Sequence, residues 1–232
     1  MIGASKSAVL DAVTSAALIL AAVVVIWVEW PRIFRAPGSN RPAMALPAMP
    51  VDLGGRQLLG SIGAETVLIE FADAECPFCL AFARDTMPSI SARYVETGTL
   101  AIAFVHLPLA IHPYALRAAQ AAECANDQGL FWAFQALAFR LSPGQLGEAS
   151  LSDSAAQLSL DRPVFESCMK ASASPRIAED KRLSDGLGIR STPTFLVGNR
   201  LSGNRVKVSH VIDGAKPTNE FLQVLDAATK RR

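Results

Sequence analysis

The run 71–79, Phe-Ala-Asp-Ala-Glu-Cys-Pro-Phe-Cys, constrains this chain more than any other, because of what lies on either side of it. Residues 66–71 (TVLIEF) are apolar and rich in β-branched side chains, the composition of a buried strand. Pro77 follows the first cysteine. Proline is well placed in the first turn of a helix, where its missing N–H would have had no partner. Residues 78–95 continue as a helix, with Phe78, Phe82, Ile90 and Tyr94 as its apolar positions and a kink at Pro88. Cys76 and Cys79 therefore share one helical turn and can close a disulfide on each other. The first sulfur sits where helix N-terminal amides stabilise a thiolate.

Two other uses of such a pair are weaker. Half of a zinc site needs a second close pair of ligands. The remaining cysteines, Cys124 and Cys168, stand alone, and the three histidines, His106, His112 and His210, are scattered. No metal and no cofactor is expected on that arithmetic. A purely structural disulfide across so small a loop would restrict the unfolded chain little. A CxxC beside a strand–helix–strand pattern reads instead as a redox motif.

The second motif is GIRSTPTFLVG, residues 188–198, an apolar strand that opens on Pro193. Proline fits a strand's first residue, and fits better as a cis peptide. With the stretches "GSIGAETVLIEFADAECPFCLAFARDTMPSISARYVETGTLAIAFVHLPL", "HPYALRAAQAAECANDQGLFWAFQALAF" and "FESCMKASASPRIAEDKRLSDGLGIRSTPTFLVG", the region from about 58 to 225 resembles the DsbA-like branch of the thioredoxin superfamily, including its membrane-anchored and Gram-positive thiol oxidoreductases. The resemblance implies that the Thr192–Pro193 bond is cis and faces the CxxC. The Thr192 backbone would then pair with an extended substrate, and Pro193 would shield the disulfide and keep metal off the thiols. It further implies that Cys76 is the nucleophile, with the more exposed sulfur, and that Cys79 is the resolving thiol.

Phe78 stands where oxidising members of that family often carry histidine. Thiolate stabilisation is then left to amides and helix dipole alone, which implies a less depressed Cys76 pKa and a less oxidising potential. Glu70, six residues before Cys76 in an apolar strand, places a carboxylate beneath the thiols. The family has a buried acid there that handles the proton of the deeper cysteine, and a solvated edge residue is the alternative. Asp73 and Glu75 read as surface charges of the turn that tune the thiol. The resemblance implies a second, non-catalytic disulfide between Cys124 and Cys168, with two buried free thiols as the alternative. His106 and His112 read as satisfied surface or capping groups.

The 232 residues divide into a membrane anchor (1–35), a Pro/Ala-rich tether (36–57), the first part of the thioredoxin fold (58–110), a helical insertion (111–187) and its second part (188–232). The net charge of +1 gives no ground for nucleic-acid binding. The positive mean hydropathy traces to residues 12–28, which carry no charge and are bordered by Trp27 and Trp30. No small-x-small cleavage site follows, so an uncleaved anchor is expected. Lys6 precedes the segment, whereas Arg32, Arg35 and Arg41 follow it, a balance that favours the domain inside. Disulfide chemistry favours the oxidising side. The reading follows the chemistry: a single pass through the inner (cytoplasmic) membrane, with the domain facing the periplasm or cell exterior.

Further along, a strand is expected at 99–107, helices over 113–141, from Ser152, from Pro163 and over 175–187, a turn at Gly198 and Asn199, a strand at 206–212 and a helix at 217–229. This order is an α/β thioredoxin fold with an inserted helical domain, preceded by an N-terminal transmembrane helix. The implied function is a monomeric thiol–disulfide oxidoreductase that donates disulfides to cysteine-containing exported proteins and works with a membrane redox partner. Alternatives are a reductase or isomerase, and a non-enzymatic thioredoxin-fold module that binds peptide or copper.

Overall fold

The structure is a computed structural model that describes residues 44–171 and 174–230. The expected membrane segment at 12–28 and the start of the tether lie outside these residues. Among the described residues no helix is long and apolar enough to cross a membrane.

Six strands form one sheet: β1 (Val51–Asp52), β2 (Leu58–Gly60), β3 (Thr66–Ala72), β4 (Leu100–His106), β5 (Thr194–Leu201) and β6 (Arg205–Asp213), in the order β1-β6-β5-β3-β4-β2. The β3–β4 pair is parallel and the rest are antiparallel. Every residue of β3 and β4 is buried, which explains why both read as nearly continuous apolar runs. After β3 come α1 (Pro77–Asp85) and α2 (Met87–Ile90), the latter continued by a π-helical turn over Ser91–Val95. Between β4 and β5 lie α3 (Ala115–Asn126), α4 (Phe131–Ala138), α5 (Glu148–Gln157), α6 (Arg162–Lys170) and α7 (Pro175–Gly186); α8 (Thr218–Thr229) follows β6. A thioredoxin-like sheet with a helical insertion is what the sequence order implied.

Four local expectations are corrected. The helix after the cysteines breaks at Thr86, two residues before the expected kink. Pro88 has no N–H to offer the Arg84 carbonyl, which interrupts the helical ladder at this point. The fifth helix starts at Glu148, capped by Gly147, instead of at Ser152. Gly198 and Asn199 do not turn. They continue β5 through a bulge, where a Cβ on Gly198 would collide with the Lys207 carbonyl, and the chain reverses later at Gly203, whose φ is +70°. The tether reading of 36–57 ran too far, since Val51 pairs with Val206 and Leu53 is buried.

Side-chain alternation along β3 sorts the core. Val67, Ile69 and Phe71 face one cluster with Leu196 and Ile189. Leu68 faces another, built on Phe82, Phe195 and Phe221, whose ring centroids are 4.4–5.1 Å apart. A third cluster joins Ala72, Cys76 and Cys79 to the insertion through Phe134, Phe165 and Leu151. Cys124 of α3 and Cys168 of α6 are joined by a disulfide across 44 residues of sequence.

One buried ion pair ties the entering chain to the insertion. The Asp180 carboxylate of α7 accepts from Arg56 Nε at 2.8 Å and from the His106 backbone N–H at 2.7 Å. Both partners are buried, so removing one leaves the other charge unanswered. Asp180→Ala is expected to lower the unfolding free energy by about 3–5 kcal/mol, read as a lower urea midpoint with an unchanged slope.

Candidate active site

The carboxyl end of β3 delivers the chain into the turn 73–76, and α1 starts immediately after it. Cys76 is the N-cap residue and Pro77 opens the helix. The backbone N–H groups of Phe78 and Cys79 consequently point back at the Cys76 sulfur. On the other side, the Thr192–Pro193 peptide is cis, and the Cys76 thiol lies 3.4 Å from the Thr192 carbonyl oxygen, to which it donates. Residues 116 apart in sequence are thus brought together. Both cysteines are free thiols. Cys76 is 4% exposed and Cys79 fully enclosed, so Cys76 is the more open of the two.

The two sulfurs differ sharply in acidity. Cys76 is lowered from 9.0 to about 5, first by the hydrogen bond that Cys79 donates to it, and also by Thr192 and the two backbone amides, against the cost of burial. The Thr192 hydroxyl is buried and has no conventional partner, which leaves its proton free to turn to the sulfur anion. Sequence reasoning credited the amides and dipole alone and missed the largest contribution, the neighbouring thiol. Cys79 is pushed far above the ordinary thiol range, chiefly by burial, then by the hydrogen bond to Cys76 and the charge there.

Glu70 is 1% exposed, on the face of β3 turned toward α1 between Leu68 and Ala72. Neither carboxyl oxygen has a hydrogen-bond partner. Burial raises its pKa from 4.5 to about 8, so the group is a neutral acid at pH 7, and its charge, when present, bears on Cys79. The solvated-edge alternative does not hold.

Asp73 and Glu75 are buried, which corrects the reading of both as surface charges. The Asp73 carboxylate accepts from the backbone N–H of Glu75 at 2.8 Å and of Leu109 at 2.9 Å, and lies 2.7 Å from His112 Nδ1. Glu75 accepts from the Tyr114 backbone N–H at 2.7 Å. His106 is buried too, its Nε2 3.0 Å from Glu123. These groups pin the cysteine turn to the loop that enters the insertion. No sequence signal marked them, because each partner lies at least 17 residues away or is a backbone amide. Cys124 and Cys168 are bonded to each other and not to the cysteine pair of this site, and Phe78 projects outward at 64% exposure. Among the described residues no group of three His, Cys, Asp or Glu side chains is placed to hold a metal ion.

The arrangement can hold a sulfur anion at neutral pH, pair it with a protonated second thiol, and supply a proton from beneath. The comparisons agree with that chemistry. Residues 53–214 match the thioredoxin family. Among solved structures, alpha-DsbA1 of Wolbachia pipientis is 26% identical with a TM-score of 0.68, covering 77% of this chain and 93% of that one. BdbD of Bacillus subtilis, at 24% identity and a TM-score of 0.65, covers 80% and 98% and shares the fold. The chain belongs to the thioredoxin family, in the DsbA-like branch of thiol–disulfide oxidoreductases. Curated relatives include a protein named Na(+)/H(+) antiporter NhaA 1 of Salinispora arenicola, 35% identical over 154 residues, which are 66% of this chain and 23% of that protein. NhaA of Herminiimonas arsenicoxydans is 32% identical over 157 residues. The chain spans about a quarter of the length of these curated relatives.

Two measurements check this electrostatic picture. Alkylation of the reduced protein by iodoacetamide is expected to modify Cys76 with a midpoint near pH 5, while Cys79 stays unmodified to pH 9. For Glu70, folded and unfolded chains are both protonated below pH 4.5. As pH rises from there to about 8, only the unfolded chain loses its proton, so this residue's contribution to stability falls. Glu70→Gln is therefore expected to match the wild type near pH 4 and to exceed it by on the order of 4 kcal/mol at pH 9, measured by urea unfolding.

Proposed function

We infer that the chain donates disulfides to cysteines of exported proteins. The observation that carries this reading is the low pKa of Cys76, about 5, beside the cis Thr192–Pro193 loop. A dithiol whose outer sulfur is comfortable as an anion is stabilised in its reduced form, and the matching disulfide is correspondingly oxidising. That favours donation over reduction.

In this mechanism a client thiolate attacks Sγ of Cys76 in the Cys76–Cys79 disulfide. The sulfur–sulfur bond breaks, and its electron pair leaves on Cys79, which takes a proton from neutral Glu70. The client's second thiolate then attacks the client sulfur of the mixed disulfide. Cys76 departs as an anion held by the Cys79 S–H, the helix amides and Thr192. Two electrons have passed from client to enzyme and go on to a membrane redox partner. The Thr192 backbone and Pro193 line the client's path, and exposed Phe78 suits the apolar segments of an unfolded client. The protein works as a monomer, with residues 1–35 anchoring it in the inner membrane, 36–50 as the spacer and the domain on the oxidising side.

Titration against glutathione is expected to place the potential between those of thioredoxin, about −270 mV, and DsbA, about −120 mV, since a Cys76 pKa of about 5 falls between theirs. A value at or below the thioredoxin figure would overturn the donor assignment. With Cys76 of Cys79→Ser first converted to its mixed disulfide with thionitrobenzoate, a reduced client such as unfolded ribonuclease is expected to displace thionitrobenzoate and accumulate as a mixed disulfide on Cys76, and Cys76→Ser to show neither adduct nor oxidation above background.

A further inference from the structure

Cys79 is a poor leaving group. Burial makes its sulfur hold a proton tightly, and a disulfide opens more slowly as the departing thiol becomes less acidic. Opening Cys76–Cys79 therefore needs groups that meet charge as it forms on the inner sulfur. Glu70 supplies a proton from beneath. A second group lies in the turn 73–76. The backbone N–H of Asp73 points at the Cys79 sulfur, and the backbone carbonyl of the same residue accepts from the Cys76 N–H at 3.1 Å. Asp73 thus meets both cysteines through its main chain. Its side chain, fully buried, is fixed from three sides: Oδ1 accepts from the Glu75 N–H at 2.8 Å, and Oδ2 accepts from the Leu109 N–H at 2.9 Å and faces His112 Nδ1 at 2.7 Å. A carboxylate can only accept, so that ring nitrogen carries the proton. Three donors on two oxygens lock the side chain, and with it the direction of the main chain at residue 73. Of the three donors, His112 alone is a side chain, 39 residues further along the chain.

We propose that the Asp73 backbone N–H stabilises the anion forming on Cys79 during disulfide exchange, and that His112, through the Asp73 carboxylate, is the positioning residue that aims it. When a thiolate attacks Sγ of Cys76, the sulfur–sulfur bond breaks and its electron pair collects on Cys79. The N–H meets that charge before Glu70 delivers its proton. Closure retraces the path: Cys79 returns its proton to the Glu70 carboxylate and attacks Sγ of Cys76 in the mixed disulfide, and the other thiolate leaves. Charge stands on Cys79 only between the two stable states, because the dithiol keeps a proton there and the disulfide is neutral. A donor aimed at that charge speeds both directions and leaves the equilibrium alone. This role rests on thiol–disulfide exchange at Cys76 and Cys79, whichever way the electrons run.

The test follows the full-length protein with glutathione by acid quench and mass spectrometry, reading the rate at which glutathione opens Cys76–Cys79 and the rate at which the Cys76–glutathione adduct closes. His112→Phe keeps a ring and removes the donor, and is expected to slow both rates by about tenfold. Their ratio, and the midpoint near pH 5 for alkylation of Cys76, stay as in the wild type. His112→Asn carries an amide nitrogen on Cγ, as Nδ1 is, and is expected to restore both rates to within about twofold. Replacing the Ala72–Asp73 peptide by an ester removes the one N–H while keeping the side chain, and is expected to slow both rates by about tenfold or more. Wild-type rates in the ester protein or in His112→Phe would overturn the proposal. So would no rescue by His112→Asn, or a slowing accompanied by a shift in the equilibrium or in the Cys76 midpoint, which is the mark of a loosened turn. If His112→Phe does not fold, the ester protein decides alone. The potential that tests disulfide donation is an equilibrium quantity that this donor does not set, so the two readings fail separately.

Discussion

A single proton shared between two sulfurs sets the chemistry of this molecule. Cys79 keeps its proton because it is sealed in the core, and it points that proton at Cys76, which gives its own up. Neither half works alone. A solvated Cys79 would be an ordinary thiol, and a Cys76 without the inner S–H would have only two amides and a hydroxyl against the cost of burial. The fold creates the asymmetry with simple means: a buried strand ends, a proline starts a helix, and three residues later the helix turns its second sulfur inward.

The turn that presents Cys76 is held by charges that do not face water. Asp73 and Glu75 spend their carboxylates on backbone N–H groups of their own turn and of the loop 109–114. Such loops have backbone groups with no secondary-structure partner, and burial makes each of them need one. The same bonds join the two halves of the molecule at the cysteines, and Asp180 does so again at the carboxyl end of β4, where it accepts from Arg56 and from the His106 backbone.

Much of this was readable from local pattern. The strand before Cys76, the proline that starts α1, the proline that opens β5 and the order of helices all follow from neighbours within a few positions. So did Glu70, because a carboxylate in an uninterrupted apolar strand has no surface to reach. What local pattern misread depends on distant partners. Gly198 looked like a turn residue, and its lack of a side chain is needed because Lys207 passes against it from the next strand. Ser152 looked like a cap but lies inside a helix begun at Glu148. Val51 and Leu53 sit in a Pro/Ala-rich stretch with no period of its own, and they are ordered only because β6 lies beside them. Asp73 and Glu75 carry the composition of a surface turn, and only the fold brings Leu109, His112 and Tyr114 to them.

The depth of Cys79 has one further consequence. An oxidant such as peroxide can reach only the outer sulfur, and its first product there is a sulfenic acid. The inner thiol is already hydrogen-bonded to that atom, so it displaces water and closes the ring before a second oxidant molecule can arrive. Oxidative stress would thus charge this protein instead of ruining it, turning a damaging reagent into the same disulfide that its normal cycle requires.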